Sequence, residues 1–184
     1  MAGRRREGFA ERRERLAVVD DPEVVLAAGL RFLEARSRSI AEVRRRLTQA
    51  GYRPELVEGA VARLVDLGML DDAAFAQAWI ESRDRAHPRG EHALRRELGL
   101  KGVERPIVDE LLATRAGARD PDASSPDEEG ARTLLERQSR ALSRVADPRA
   151  RRQRAYALLA RHGFDPETCS SAVRTFFAAA VDAE

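Results

Sequence analysis

A chain of 184 residues that is 43 % apolar, 35 % charged and only 5 % aromatic has enough to bury. It suits thin helical layers better than one large globule. Its single cysteine excludes an internal disulfide and fits a reducing compartment. No apolar run approaches the roughly 18 residues that cross a bilayer, and the N-terminus has no secretory segment, so the expectation is a soluble, cytoplasmic protein with no membrane partner. The formal net charge is +2 while the pI is near 9.2, because of 33 basic residues only Lys101 is lysine. Arginine presents a planar fork suited to carboxylate or phosphate. A genome-wide preference for arginine codons explains the imbalance as well, so charge alone argues weakly for nucleic acid.

Residues 1–20 mix Arg4, Arg5, Arg6, Arg12, Arg13 and Arg15 with Glu7, Glu11 and Glu14. Only Phe9 and Leu16 offer much to bury, which predicts a flexible basic arm or a frayed helix. Asp21-Pro22 then opens a first three-helix unit over 21–70. Its second helix starts at the capping box Ser39-Ile40-Ala41-Glu42 and buries Val43 and Leu47. Gly51 stops it, and Pro54 starts a third helix with Leu56, Val57, Ala60, Val61 and Leu64 at helical period. Gly68 closes this unit, Leu70 precedes the next cap, and Asp71 or Asp72 opens the second unit, 71–114.

The second unit repeats the first. Leu47-Thr48-Gln49-Ala50-Gly51-Tyr52 and Leu98-Gly99-Leu100-Lys101-Gly102-Val103 align at a shift of 51 residues, which also carries Val43, Val57 and Val61 onto Leu94, Val108 and Leu112. Phe75, Trp79 and Ile80 line the inner side of its first helix, and His87-Pro88-Arg89-Gly90 breaks the chain. Residues 115–126 are small, polar and proline-punctuated, which reads as a linker. A third unit over 127–181 begins at the capping box Ser125-Pro126-Asp127-Glu128 and places Leu134, Leu135 and Leu142 in its first helix. Asp147-Pro148 and Asp165-Pro166 start its other helices, and Gly163 matches Gly102 a further 61 residues on. Cys169 falls where Val57 and Val108 stand, as a small buried hydrophobe. No alternating strand pattern occurs, so the fold class is all-α.

Catalytic chemistry is not signalled. His87, His92 and His162 are scattered, one cysteine cannot build a usual zinc site, and no glycine loop sits between a strand and a helix. Asp71 and Asp72 are placed to cap a helix, not to form an acid pair. The reading is a non-enzyme without metal or cofactor. What recurs is basic surface on the second helix of each unit: Arg36, Arg38, Arg44, Arg45 and Arg46; then Arg89, Arg95, Arg96 and Lys101; then Arg149, Arg151, Arg152 and Arg154. Such a strip could meet an anionic surface. The alternative is an ordinary solvated face with i,i+4 pairs such as Glu42 with Arg46. The two helices joined at Gly51 look like a helix-turn-helix, but tandem three-helix units give that look by default.

The run Arg36-Ser37-Arg38-Ser39-Ile40-Ala41-Glu42-Val43, the junction Gly68-Met69-Leu70-Asp71-Asp72-Ala73-Ala74-Phe75-Ala76 and the run Glu97-Leu98-Gly99-Leu100-Lys101-Gly102-Val103 together resemble the RecX family of bacterial recombination regulators. The match covers residues 25–114 well, is loose over the third unit and does not reach the N-terminal arm. The resemblance implies three tandem three-helix repeats in an elongated, curved molecule; a monomer is the expectation. It also implies a negative regulator of homologous recombination, DNA repair and the SOS response. Such a protein would bind the groove of the RecA–DNA filament and inhibit RecA ATP hydrolysis, strand exchange and co-protease activity. Single- or double-stranded DNA would be a partner, directly or through RecA. Carried over by position, Arg36, Arg38, Arg89, Arg96 and Lys101 are contact candidates. Arg44, Arg45, Arg95, Arg151 and Arg152 complete the set from the basic strip, while Phe75 and Trp79 fit a core role. The competing class is a stand-alone DNA-binding helical module acting through that strip.

Overall fold

The computed structural model describes residues 8–117 and 124–181, and every regular element among them is a helix. In order these are α1 (Phe9–Ala17), α2 (Pro22–Leu33), α3 (Ile40–Ala50), α4 (Pro54–Asp66), α5 (Asp72–Ala86), α6 (Glu91–Lys101), α7 (Arg105–Gly117), α8 (Pro126–Arg137), α9 (Ser139–Ser143), α10 (Pro148–Arg161) and α11 (Pro166–Val181). Short polar side chains start most of them. Asp21, Ser39, Ser125 and Asp147 accept hydrogen bonds from the first-turn amides of α2, α3, α8 and α10. Asp71 does so for α5, and Asp165 for α11. Each such cap contributes about 1 kcal/mol. The second helices end on Gly51, Gly102 and Gly163 and α4 ends near Gly68, the only residues at positive φ among those described.

The helices form two compact units. The first runs up to Phe75 and includes Lys101–Val103; the second comprises Ala76–Leu100 and the chain from Glu104 on. In the first, Val25, Val43, Leu47, Val57, Ala60, Val61, Leu64 and Leu70 make one buried cluster, with Leu16 and Tyr52 at its margin. Gly29 of α2 faces Leu64 so closely that a β-carbon there would lie 2.9 Å from Leu64 Cδ1, which lets α2 and α4 pack tightly. In the second, Ala131, Leu134, Leu135, Leu142, Ala155, Leu159, Phe164, Cys169 and Val173 form a core. Ala76, Ile80, Ala93, Leu94, Leu98, Val108 and Leu112 are also buried there.

Three details refine the sequence reading. Of the two forms read for the arm, residues 9–17 take the helical one: Glu11 accepts from the Gly8 amide at 2.9 Å, and Leu16 is buried in the first core. One apolar side chain at the end of a charged stretch was enough to dock it. Residues 1–7 lie outside the described residues. Helix α7 continues through Gly117, into the stretch read as linker, because Arg115 is clamped by Asp84 at 2.8 Å and Asp127 at 2.7 Å. The remainder of that stretch, 118–123, is also outside the described residues. Finally, the first helix of the third repeat breaks at Gln138 (φ −100°, ψ 4°), so Leu142 sits on the separate short helix α9.

Candidate functional site

The site is built on the start of α3 and, in the second unit, on the corresponding start of α6. The Ser39 hydroxyl caps α3 and donates to the Lys101 carbonyl at 2.5 Å, and the Ile40 amide donates to Asp72 Oδ1 at 2.9 Å. Glu42, one turn in, gathers two of the candidate cations: Arg36 Nη2 at 3.1 Å and Lys101 Nζ at 3.0 Å. Burial opposes ionisation of Glu42. The hydrogen bonds from Arg36, Lys101 and the Ser39 amide outweigh it and hold the carboxyl below the usual glutamate range. The Glu42–Arg46 pair of the alternative, solvated-face reading is not formed. Arg46 instead turns toward Phe32, its guanidinium 5.6 Å from the ring centroid. Arg38 stacks on the same ring at 4.2 Å, with its buried Nε unpartnered. Burial, with Arg36 and Arg46 nearby, pushes Arg38 below the ordinary guanidinium value.

In the second unit Glu97 plays the gathering role. It accepts from Trp79 Nε1 at 2.9 Å and Arg83 Nε at 2.7 Å, and Arg89 Nε lies 3.3 Å from it without hydrogen-bond alignment. Arg83 also covers the Trp79 ring at 4.4 Å. Trp79 is consequently half-buried and wrapped by charge, whereas Phe75 is fully in the core. Burial again opposes ionisation of Glu97, and Arg83 and Trp79 override it to lower its pKa.

The 51-residue shift recurs in the ion pairs. Arg44 reaches Glu58 at 2.7 Å, and at the shifted positions Arg95 reaches Asp109 at 2.8 Å. Arg95 also pairs with Glu91, and Arg105 shares Asp109. Hydrogen bonding to these carboxylates raises both Arg44 and Arg95. Arg151 spends its Nε on the Val145 carbonyl at 2.9 Å. Among the described residues, Arg45, Arg96 and Arg152 stay exposed and without an ion-pair or hydrogen-bond partner. Arg45 and Arg96 are again related by the shift. The further shift of 61 carries Arg95 and Arg96 onto Tyr156 and Ala157, so the third repeat bears its arginines at different register positions.

The sequence reading missed the carboxylates. Glu58 and Asp109 could have been found, because an arginine and an acid fourteen residues apart recur at one shift. Cys169 is buried, its thiol raised by burial and then by Asp165, so it is no nucleophile candidate. Among the described residues no group of side chains could hold a metal ion, and no helix is long and apolar enough to cross a membrane. The chemistry on offer is guanidinium recognition of carboxylate or phosphate.

Comparison with known proteins agrees with this layout. The first, second and third three-helix domains of RecX match residues 26–64, 71–112 and 126–173. A regulatory protein RecX of Mycobacterium avium is 35 % identical over 158 residues, covering 85 % of this chain and 87 % of that protein. One from Deinococcus radiodurans is 37 % identical over 170 residues, covering 91 % and 76 %. The crystal structure of RecX from Lactobacillus salivarius superposes with a TM-score of 0.72 over 85 % of this chain and 96 % of that one, at 18 % identity, so it speaks to the fold. With all three domains matched, and relatives above 30 % identity covered over more than two thirds of their length, the chain belongs to the RecX family.

Proposed function

We propose that this protein is a non-enzymatic negative regulator that binds the groove of the RecA–DNA filament and inhibits ATP hydrolysis, strand exchange and co-protease activity. Family membership supports the partner. The observation that carries the surface is the recurrence of Arg45 and Arg96, exposed and unpaired at equivalent positions of successive repeats. A filament repeats the same anionic and polar groups along its length. Units joined in tandem meet it at high effective concentration, so modest contacts sum. Arg44 and Arg95, bound to Glu58 and Asp109, are better suited to hold the helices that present their neighbours.

The test is steady-state ATP hydrolysis by RecA on single-stranded DNA with this protein added well below one per RecA, and excess DNA as control. Inhibition that excess DNA does not rescue supports the filament reading. Inhibition that appears only as the DNA saturates, and vanishes with excess DNA, would favour a stand-alone DNA binder, the reading for which the unpaired arginines are also suited. That alternative also predicts a loss of about a thousandfold or more in affinity between 50 and 200 mM salt if 6–10 phosphates are met. Charge reversal at both Arg45 and Arg96 should raise the half-inhibitory concentration about tenfold or more while leaving the melting temperature unchanged.

A further inference from the structure

A concave feature of the first unit takes no part in the ion pairs at Glu42 and Glu58. It is a cleft of about 210 Å³ between α1, α2 and α3. Its floor is Leu16, Ala28, Phe32, Leu47, Ala50 and Tyr52. Its rim is three guanidiniums, Arg12 from α1, Arg31 from α2 and Arg46 from α3, and no carboxylate lines it among the described residues. Arg12, Arg31 and Arg46 are all exposed, and none has an ion-pair partner there. Other arginines of this unit do have a carboxylate: Arg36 has Glu42, Arg44 has Glu58 and Arg53 has Asp20. What sets Arg12, Arg31 and Arg46 apart is that three unmatched cations line one apolar hollow, and like charges so gathered repel unless an anion joins them.

We propose that this cleft binds an acidic peptide segment, one large apolar side chain of which fills the hollow while flanking carboxylates meet Arg12, Arg31 and Arg46. The size decides against a drug-sized or whole-cofactor ligand, which needs about 300–1,000 Å³; a single large side chain fits. The aromatic arrangement decides against a nucleobase. Stacking requires an open ring face. Phe32 is already covered by Arg38 at 4.2 Å with Arg46 close by, and Tyr52 is buried in the core. What remains open is aliphatic floor and guanidinium forks, which suit an apolar anchor and carboxylates. The site depends on α1 being docked by Leu16, so it exists only with the N-terminal helix in place. It does not rest on the filament reading.

The experiment is fluorescence anisotropy on the full chain with a labelled seven-residue peptide of alternating Asp and Glu carrying a central Phe. Controls are the same peptide with Ser for Phe, and a labelled oligothymidylate. The expected result is saturable binding of the first peptide, weakened about tenfold by each of Arg12→Gln, Arg31→Gln and Arg46→Gln. Arg161→Gln, at an exposed arginine of the other unit, should leave binding unchanged. Because the three rim residues are exposed and have no ion-pair partner among the described residues, these variants should keep the parent helical content. The proposal is overturned if the Ser peptide binds as well as the Phe peptide, since the hollow is then unused. It is equally overturned if the three variants bind like the parent, if the first peptide does not bind, or if the oligothymidylate binds and loses affinity with the same three substitutions.

Discussion

The start of α3 in the first unit and the start of α6 in the second are built to one plan and held by different means. In each, an aspartate accepts from the first amide of the helix: Asp72 from Ile40 at 2.9 Å, Asp127 from Glu91 at 3.0 Å. In each, the residue before the helix donates to the carbonyl that precedes a left-handed glycine, and that glycine lies against an alanine, Gly102 on Ala41 and Gly163 on Ala93. The donor differs. In the first unit it is the Ser39 hydroxyl, reaching the Lys101 carbonyl; in the second it is the Gly90 backbone amide, 3.0 Å from the His162 carbonyl. A side chain spans a gap that the second site has closed. A β-carbon on Gly90 would lie 2.3 Å from the Gly163 oxygen and 2.4 Å from Phe164 Cα. The same repeat plan thus tolerates a side chain in one copy and forbids it in the other.

The largest predicted effect breaks this comparison directly. Gly90→Ser installs the residue that the first repeat uses at this register, yet it should destabilise the second unit by about 3 kcal/mol, because backbone, not a flexible tip, blocks the new atoms. Urea unfolding of the full chain measures it, and a cost below about 1 kcal/mol would mean that the two copies are interchangeable. Gly163→Ala should be similarly severe: its β-carbon would lie 2.4 Å from the Ala93 amide nitrogen, and φ of +84° adds about 1 kcal/mol of backbone strain.

The aspartates come next. Asp127 holds both the Glu91 amide and Arg115, a guanidinium whose side chain is only 13 % exposed between Asp84 and Asp127. Asp127→Asn keeps the shape but leaves that cation with one counter-charge, for a loss of about 2 kcal/mol. Asp72→Asn keeps an acceptor for the Ile40 amide and should cost about 1 kcal/mol. Equal losses at the two positions would show that Arg115 does not distinguish the sites. Ser39→Ala removes the cap of α3 and the bond to the Lys101 carbonyl together, about 1–2 kcal/mol.

Much of this frame was legible in the sequence, because its causes are local. Asp21, Ser39, Ser125 and Asp147 cap the helices they were read to cap, and Gly51, Gly68, Gly102 and Gly163 take the left-handed conformation their positions demanded. The 51-residue shift carried Val43, Leu47 and Val57 correctly onto buried Leu94, Leu98 and Val108, since the hydrophobic period is a property of neighbouring turns. What was not legible is which charge meets which. Glu42 has Arg46 four residues on but takes Lys101, fifty-nine residues away, and Arg36. Helical spacing offers a partner, but tertiary packing brings a better one and releases Arg46 toward Phe32. Of Asp71 and Asp72, either of which could cap α5, Asp71 does so, and Asp72 turns to Ile40 for the same reason.

The smallest effect separates charge from packing at the first site. Glu42 and Glu97 are both held below the usual glutamate range, so each binds its proton less readily folded than unfolded. Their contribution to stability is therefore complete above the unfolded value of about 4.3 and is lost as pH falls through the lower folded value. Glu42→Gln should lower the urea midpoint at pH 7, where the carboxylate holds Arg36 and Lys101. The gap from the parent should narrow steadily below about pH 4, as the parent itself becomes protonated. Glu97→Gln should behave alike through Arg83 and Trp79. Glu42, however, is bonded to the residue whose carbonyl Ser39 grips, so its loss should also weaken the contribution of Ser39. A Ser39→Ala, Glu42→Gln double variant less damaged than the sum of the singles would establish that coupling. A gap that stays constant down to pH 3 would assign Glu42 a packing role in which its charge plays no part.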